Sequence, residues 1–279
     1  MTAPFTLIAQ ISDLHIKRPD EKAYGVVDTA AALTRCVADL NRLQPRPDLV
    51  VISGDLVDGG TDEEYAHFAA LIAPLEIPFL AIPGNHDSRE PMRRALARQP
   101  YAQGHGAMNL AAHVGDLDLF LLDSSVPSRA YGHLDEETLA WLEKNLASGA
   151  QRPAIIFLHH PPFLAGIRHM DVQNLRNAEA LAAIVAQYPR VQLVAAGHVH
   201  RDASTLFAGV RATICPAPNH AVTLDLVEAL PPSFTVEPPA FHLHALLPSA
   251  AGPQLITHFV PIGDFVGPHP FFDAEGRLL

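Results

Sequence analysis

Five short polar motifs have the residue types of a metal site: Asp13-x-His15, Gly54-Asp55, Gly84-Asn85-His86-Asp87, His159-His160 and Gly197-His198-x-His200. Imidazole and carboxylate together suit Fe, Zn, Mn or Co, and an amide oxygen adds a weak neutral ligand. No thiolate accompanies them, which argues against a structural zinc site. The donors exceed what one four-coordinate ion needs, whereas two ions sharing a bridging carboxylate use them all. Each motif alone is commonplace. Gly-Asp often precedes a turn, and a single strand-end histidine is more often a satisfied core or surface residue than a ligand.

Each motif follows a short apolar run. Phe5 to Ile11, Leu49 to Ile52, Phe79 to Ile82, Ala154 to Leu158 and Val191 to Ala196 read as buried strands. Helical patterns lie between them. Asp28 can cap a helix carrying Ala32, Leu33, Val37, Leu40 and Leu43, and Thr61 with Glu64 forms a capping box. Further helices are predicted near Pro91 to Arg98, from Asp135 through Leu146, and from Asn177 to Ala186, with a hairpin turning at Gly115-Asp116. Alternating strands and helices predict a layered α/β fold. In such a fold, ligands at the C-terminal ends of neighbouring strands converge on one crevice. The aperiodic loop 161–174, with Arg168 and His169, is a candidate substrate lid. The predicted division is a catalytic domain over 1–200, a β-rich cap and dimerisation arm over 201–259, and a C-terminal segment, 260–279, returning to the catalytic domain.

Composition narrows the function. With 48% apolar and 18% charged residues the chain reads as globular, and its net charge of −11 disfavours a partner held by nucleic-acid phosphates. Cys36 and Cys215 have no paired spacing and read as small core residues. No signal peptide or membrane-length apolar run is present, so a cytoplasmic location is expected, with no membrane partner. Of the sixteen histidines, His242-x-His244 alternates on a strand and is expected at a surface or interface. His160, His169 and Arg168 lie near the motifs without assigned roles.

From Asp13 to His200 the ordered motifs resemble the calcineurin-like metallophosphoesterases. Glu21-Lys22-x-Tyr24-Gly25, Asp123-Ser124-Ser125 and His159-His160-Pro161-Pro162 narrow the resemblance to the bacterial cyclic-nucleotide phosphodiesterase and glycerophosphodiesterase branch. The resemblance implies a four-layer α-β-β-α sandwich with mixed sheets. It also implies two divalent ions, one on Asp13, His15 and His200, the other on Asn85, His159 and His198, with Asp55 bridging. Asn85, His86 and His220 are implied to contact substrate, His86 off the metals, and Asp87 is expected to orient an imidazole from behind. A homo-oligomer, a dimer or larger, is implied as well.

The expected reaction is hydrolysis of a small phosphodiester by in-line attack of a metal-activated hydroxide, with catalytic roles for His86, Asn85 and Asp55. A 3′,5′-cyclic nucleotide is the alternative substrate, for which Tyr24, Phe163 and Phe271 are candidate base contacts. Two other classes compete. A nuclease on this fold needs a basic face that the composition lacks, and a non-enzymatic scaffold would typically have lost ligands, none of which is missing.

Overall fold

The computed structural model describes residues 5–148 and 152–279, which form two sheets packed face to face between outer helices. The first sheet contains parallel β1 (Thr6–Ile11), β2 (Leu49–Ile52) and β3 (Phe79–Ala81). To it are added antiparallel β12 (Ala240–Leu247) and β13 (Gln254–Pro261), giving the order β13-β12-β1-β2-β3. The second sheet runs β4 (Leu110–Val114), β5 (Leu117–Leu122), β6 (Ala154–Leu158), β7 (Val191–Ala196), β9 (Val210–Ile214) and β8 (Ala203–Phe207). Its inner four strands are parallel and both edges antiparallel. A small ribbon of β10 (Ala221–Val222) and β11 (Phe234–Thr235) belongs to neither sheet.

Period-two alternation explains the layers. Leu119, Leu121, Ile155, Phe157, Leu193 and Ala195 join a cluster with Ile8, Val50 and Ile52 of the first sheet. Their sequence neighbours Phe120, Leu122, Ile156, Leu158 and Val194 face the other way, onto Leu142 and Leu146 of α4 (Glu136–Ser148) and Leu181 of α6 (Ala178–Val185). On the first sheet's side lie α1 (Thr29–Arg42), with Asp28 accepting from Ala31 N at 2.9 Å, and α2 (Asp62–Ile72), which has the expected Thr61–Glu64 capping box. Two short helices, α3 (Arg89–Ala95) and α5 (Arg168–Asp171), flank the site. Each fully buried Leu, Ile or Phe contributes about 1.5–3 kcal/mol. A core of this size can therefore support polar, strained loops at one end. The architecture is the expected mixed sandwich. Among the described residues, no helix is long and apolar enough to cross a membrane.

Two expectations are corrected. The stretch 201–259 is not a separate arm: β8 and β9 extend the second sheet, while β12 and β13 extend the first. Pairing β12 along β1 satisfies backbone groups that would otherwise form an open edge. The chain thus returns to the catalytic sandwich at β12, before residue 260, and beyond buried Ile262 the side chains of Phe265, Val266, Phe271 and Leu278 are exposed. The second correction follows from the first. His242 and His244 are buried, because β12 lies inside the sandwich.

Candidate functional site

The loops after β1, β2, β3, β6 and β7 meet at one end of the sandwich. Asp13, His15 and His200 bring ligand atoms within 4.8 Å of one another, as do Asp13, Asp55 and His159. The same spacing holds for His159, His160 and His198, and for His15, Asp55 and His86. Asn85 joins through Oδ1, 3.2 Å from His159 Nε2. All seven expected ligands therefore converge, and Asp55 is shared between the His15 and His159 sides.

Hydrogen bonds set the ring orientations. His15 Nδ1 donates to Asp58 Oδ1 at 3.2 Å and His159 Nδ1 donates to the Ser53 carbonyl at 2.9 Å. Each ring then turns its Nε2 toward the cluster. There His15 Nε2 lies 3.2 Å from His200 Nε2, and His159 Nε2 lies 3.3 Å from Asp55 Oδ2. These approaches crowd imidazole nitrogens and a carboxylate together in a buried place, where positive charge shared between the groups, as a proton or a metal ion, is favoured. His198 Nε2 and His200 Nδ1 are buried with no partner. Burial, followed by the neighbouring histidines, pushes the pKa of His198 and His200 well down, keeping both rings neutral as ligands must be. Burial also opposes charge on His159, but Asp55 and Asp13 outweigh it and raise that pKa to about 9. The cluster thus attracts positive charge. Its donor set fits two divalent ions.

The backbone is equally specialised. Asp13, His15, Asp55, His198 and His200 all have positive φ, between 46° and 75°. Left-handed backbone costs a non-glycine residue about 1–2 kcal/mol and persists where surrounding contacts over-determine it. Here Asp13 N donates to Gly54 O and His15 N to Asp55 O, both at 3.0 Å. His198 N donates to both Asp13 carboxylate oxygens at 3.1 Å. Gly84 is required by close approach, since a Cβ there would overlap the carboxylate and backbone nitrogen of Asp55.

His86 has its Nδ1–H committed to the Asp58 carbonyl at 2.8 Å, leaving Nε2 free at the cleft, while its backbone N–H holds Asp55 Oδ1 at 2.9 Å. Asp87 differs from expectation. Among the described residues it hydrogen-bonds no imidazole and instead accepts from Gly84 N, Leu56 N, Val57 N and the Tyr65 hydroxyl, bracing the backbone of two neighbouring loops. Carboxylate orientation of an imidazole falls to Asp58, three residues after Asp55, which the sequence reading passed over. Hydrogen bonds from His15 and then Lys17 hold Asp58 well below the usual carboxylate range. Asp58→Ala is expected to weaken metal affinity about 10–100-fold while the fold is retained, measurable by Mn²⁺ titration calorimetry. Asn219 was also missed; its Nδ2 donates to the carbonyls of Asp13 and Leu14.

A cleft of about 520 Å³ opens onto the cluster. His220 forms one wall, its ring centroid 4.5 Å from that of His200 and 5.3 Å from those of Tyr24 and Phe234. Burial, then His200 and His15, lower its pKa to about 3, so it meets the cleft as a neutral ring. Of the candidate base contacts only Tyr24 lines the cleft, pairing with Phe234 at 4.7 Å. Phe163 packs into hydrophobic clusters, and Phe271 is 79% exposed in the C-terminal stretch. Phe234 lies in the Pro-rich segment, where no sequence pattern marked it. The 161–174 loop borders the cleft through His169, Met170 and Gln173, while Arg168 turns outward to pair with Glu228 at 3.0 Å.

A mixed two-sheet sandwich with a carboxylate–imidazole cluster at its strand ends is the arrangement of a metal-dependent phosphoesterase. The chain belongs to the calcineurin-like phosphoesterase family, whose pattern it matches over residues 6–202, and it is a metal-dependent hydrolase of phosphate esters. It is 39% identical over 274 residues to a probable glycerophosphodiester phosphodiesterase GpdQ from Arcobacter nitrofigilis, covering 98% of this chain and 99% of the relative. It is 35% identical over 196 residues to the 3′,5′-cyclic adenosine monophosphate phosphodiesterase CpdA of Pseudomonas aeruginosa, covering 70% of each. A dimetal phosphatase from Danio rerio shares the fold, with a TM-score of 0.67 at 16% identity over 94% of this chain and 98% of that one.

Proposed function

We propose that this enzyme hydrolyses small phosphodiesters of the glycerophosphodiester kind. The observation that carries the reading is the extent of likeness: the relative named for glycerophosphodiesters aligns along 98% of this chain, a length that takes in the ribbon and His220 beside the cleft. In this reading one divalent ion is held by Asp13, His15 and His200 and a second by Asn85, His159 and His198, with Asp55 between them. Fe, Zn, Mn and Co all suit such donors. When bound, the ions acidify a water and neutralise charge on the phosphate oxygens.

The chain's own groups do the rest. The Asn85 side-chain amide keeps its N–H donors available to a phosphate oxygen while Oδ1 faces the cluster. His86, oriented through Nδ1–H by the Asp58 carbonyl, presents Nε2 to the leaving oxygen; in its imidazolium form it gives the Nε2 proton to the departing alkoxide and is left neutral. His220, neutral and partnerless at Nδ1, contacts the ester substituent. The Tyr24–Phe234 pair offers a flat apolar wall; a nucleobase stacking there is the competing reading, in keeping with the CpdA likeness.

A panel of kcat/KM values over glycerophosphoethanolamine, cyclic AMP and a phosphomonoester separates the two. Glycerophosphoethanolamine is expected to lead by about tenfold or more, or roughly 1.4 kcal/mol of transition-state discrimination. A lead for cyclic AMP would transfer the function to cyclic nucleotides. We further place the enzyme in the cytoplasm as a homo-oligomer. The exposed apolar residues Leu224, Leu226, Val227 and Val236 around the ribbon support a subunit contact there, readable from the mass in solution. The net charge of −11 supports a small substrate over a nucleic-acid polymer.

A further inference from the structure

Behind the metal cluster, between the two sheets, lies a chain of buried polar groups that the reaction does not use. Gln10 on β1 is completely buried, and its Nε2 donates to Ser53 Oγ at 2.9 Å and to the Ala196 carbonyl at 3.1 Å. Ser53 closes β2 just ahead of Asp55, and Ala196 closes β7 just ahead of His198 and His200. The amide therefore ties the first sheet to the second where each releases its ligand loop.

His244 on β12 sets the direction of this tie. Burial, then His242, push its pKa well down, so the ring is neutral and has one donor and one acceptor. Nδ1 lies 2.9 Å from Thr257 Oγ1 and Nε2 lies 3.1 Å from Gln10 Oε1. With both amide hydrogens of Gln10 given to Ser53 and Ala196, Oε1 can only accept. Nε2 must then carry the proton, and Thr257 must donate to Nδ1. The directed chain Thr257→His244→Gln10→Ser53 and Ala196 has one self-consistent arrangement. It continues to the ligands, because the Ser53 carbonyl receives His159 Nδ1–H and the His159 carbonyl receives Gly197 N–H.

We propose that Gln10 and His244 are positioning residues that set the separation of the two ligand-bearing sheets, and with it the affinity for the second ion. A fully satisfied polar chain of this kind fixes alignment between the sheets, a role that apolar packing does not fill. The inference rests on the two-ion reading above, and the test tells the two apart.

Mn²⁺ is titrated calorimetrically into metal-free wild type, Gln10→Met, His244→Phe, His244→Gln and Thr257→Val, with thermal unfolding recorded on each sample. Wild type is expected to bind two equivalents. Gln10→Met and His244→Phe, near-isosteric and apolar, are expected to bind the second ion about tenfold more weakly. Thr257→Val, at the partly exposed end of the chain, should show a smaller loss in the same direction. His244→Gln, which can still donate to Gln10, should recover most of the affinity. Should the core variants fail to fold, Thr257→Val against wild type decides the matter. Two tight equivalents in every folded variant, with only the unfolding temperature lowered, would make the chain purely structural and overturn the inference. Failure of wild type itself to bind two ions would overturn the two-ion reading and the inference with it.

Discussion

Asp55→Ala is expected to abolish phosphodiester hydrolysis and to release metal. Asp55 Oδ2 lies 3.3 Å from His159 Nε2 and 3.6 Å from His15 Nε2, so this one carboxylate faces both halves of the ligand set. Removing it takes away the one carboxylate facing both halves, leaving Asp13 as the remaining anion of the cluster, and two cations held on either side would repel without a shared counter-charge. Several kcal/mol of charge stabilisation disappear, which at about 1.4 kcal/mol per decade means a loss of about 10³-fold or more. Asp55→Asn is the cleaner companion variant. Asparagine tolerates the left-handed backbone at this position, φ 51°, and can still accept from His86 N. It should fold like wild type and still bind fewer than two ions by elemental analysis. Full activity with two retained ions in Asp55→Asn would remove Asp55 from the bridging position.

His86→Ala should leave metal content unchanged while turnover falls. Loss of a positioned general acid costs roughly 10²–10⁴-fold, but only where the leaving group needs a proton. The deficit should therefore be large for glycerophosphoethanolamine, which releases an alkoxide, and much smaller for bis(p-nitrophenyl) phosphate, which releases a stabilised phenolate. An equal deficit on both substrates would point to a phosphate contact without proton transfer. Metal loss would make His86 a ligand, which its 4.8 Å grouping with His15 and Asp55 leaves geometrically open.

The convergence of the motifs at one end of the sheets was legible before the fold was complete, for a physical reason. Asp13, His15, Asp55, Asn85, His159, His198 and His200 each follow an apolar strand directly, so local patterning fixes where their loops begin. The left-handed backbone at five of them also suits Asp and His, which adopt it more readily than most residues. What escaped reading depends on distant partners. The antiparallel register that puts His244 opposite Ile8 joins residues more than 230 positions apart, and no local period in 240–261 distinguishes a sheet strand from an arm. Asp58 and Asp87 show the same limit on a smaller scale. Both are acidic residues shortly after a ligand, yet one orients His15 and the other braces backbone amides, a difference set by the direction of each loop. Gln10 is one polar residue in an apolar run, and its partners lie on both sheets.

Two divalent ions held in this cluster are proposed to support phosphodiester hydrolysis. The decisive experiment adds Mn²⁺ stepwise to metal-free enzyme while bound equivalents and turnover of glycerophosphoethanolamine are followed on the same sample. Activity is expected to be absent without metal and to reach its plateau at two equivalents per chain. Full turnover in the metal-free protein, or a plateau at one equivalent, would contradict it.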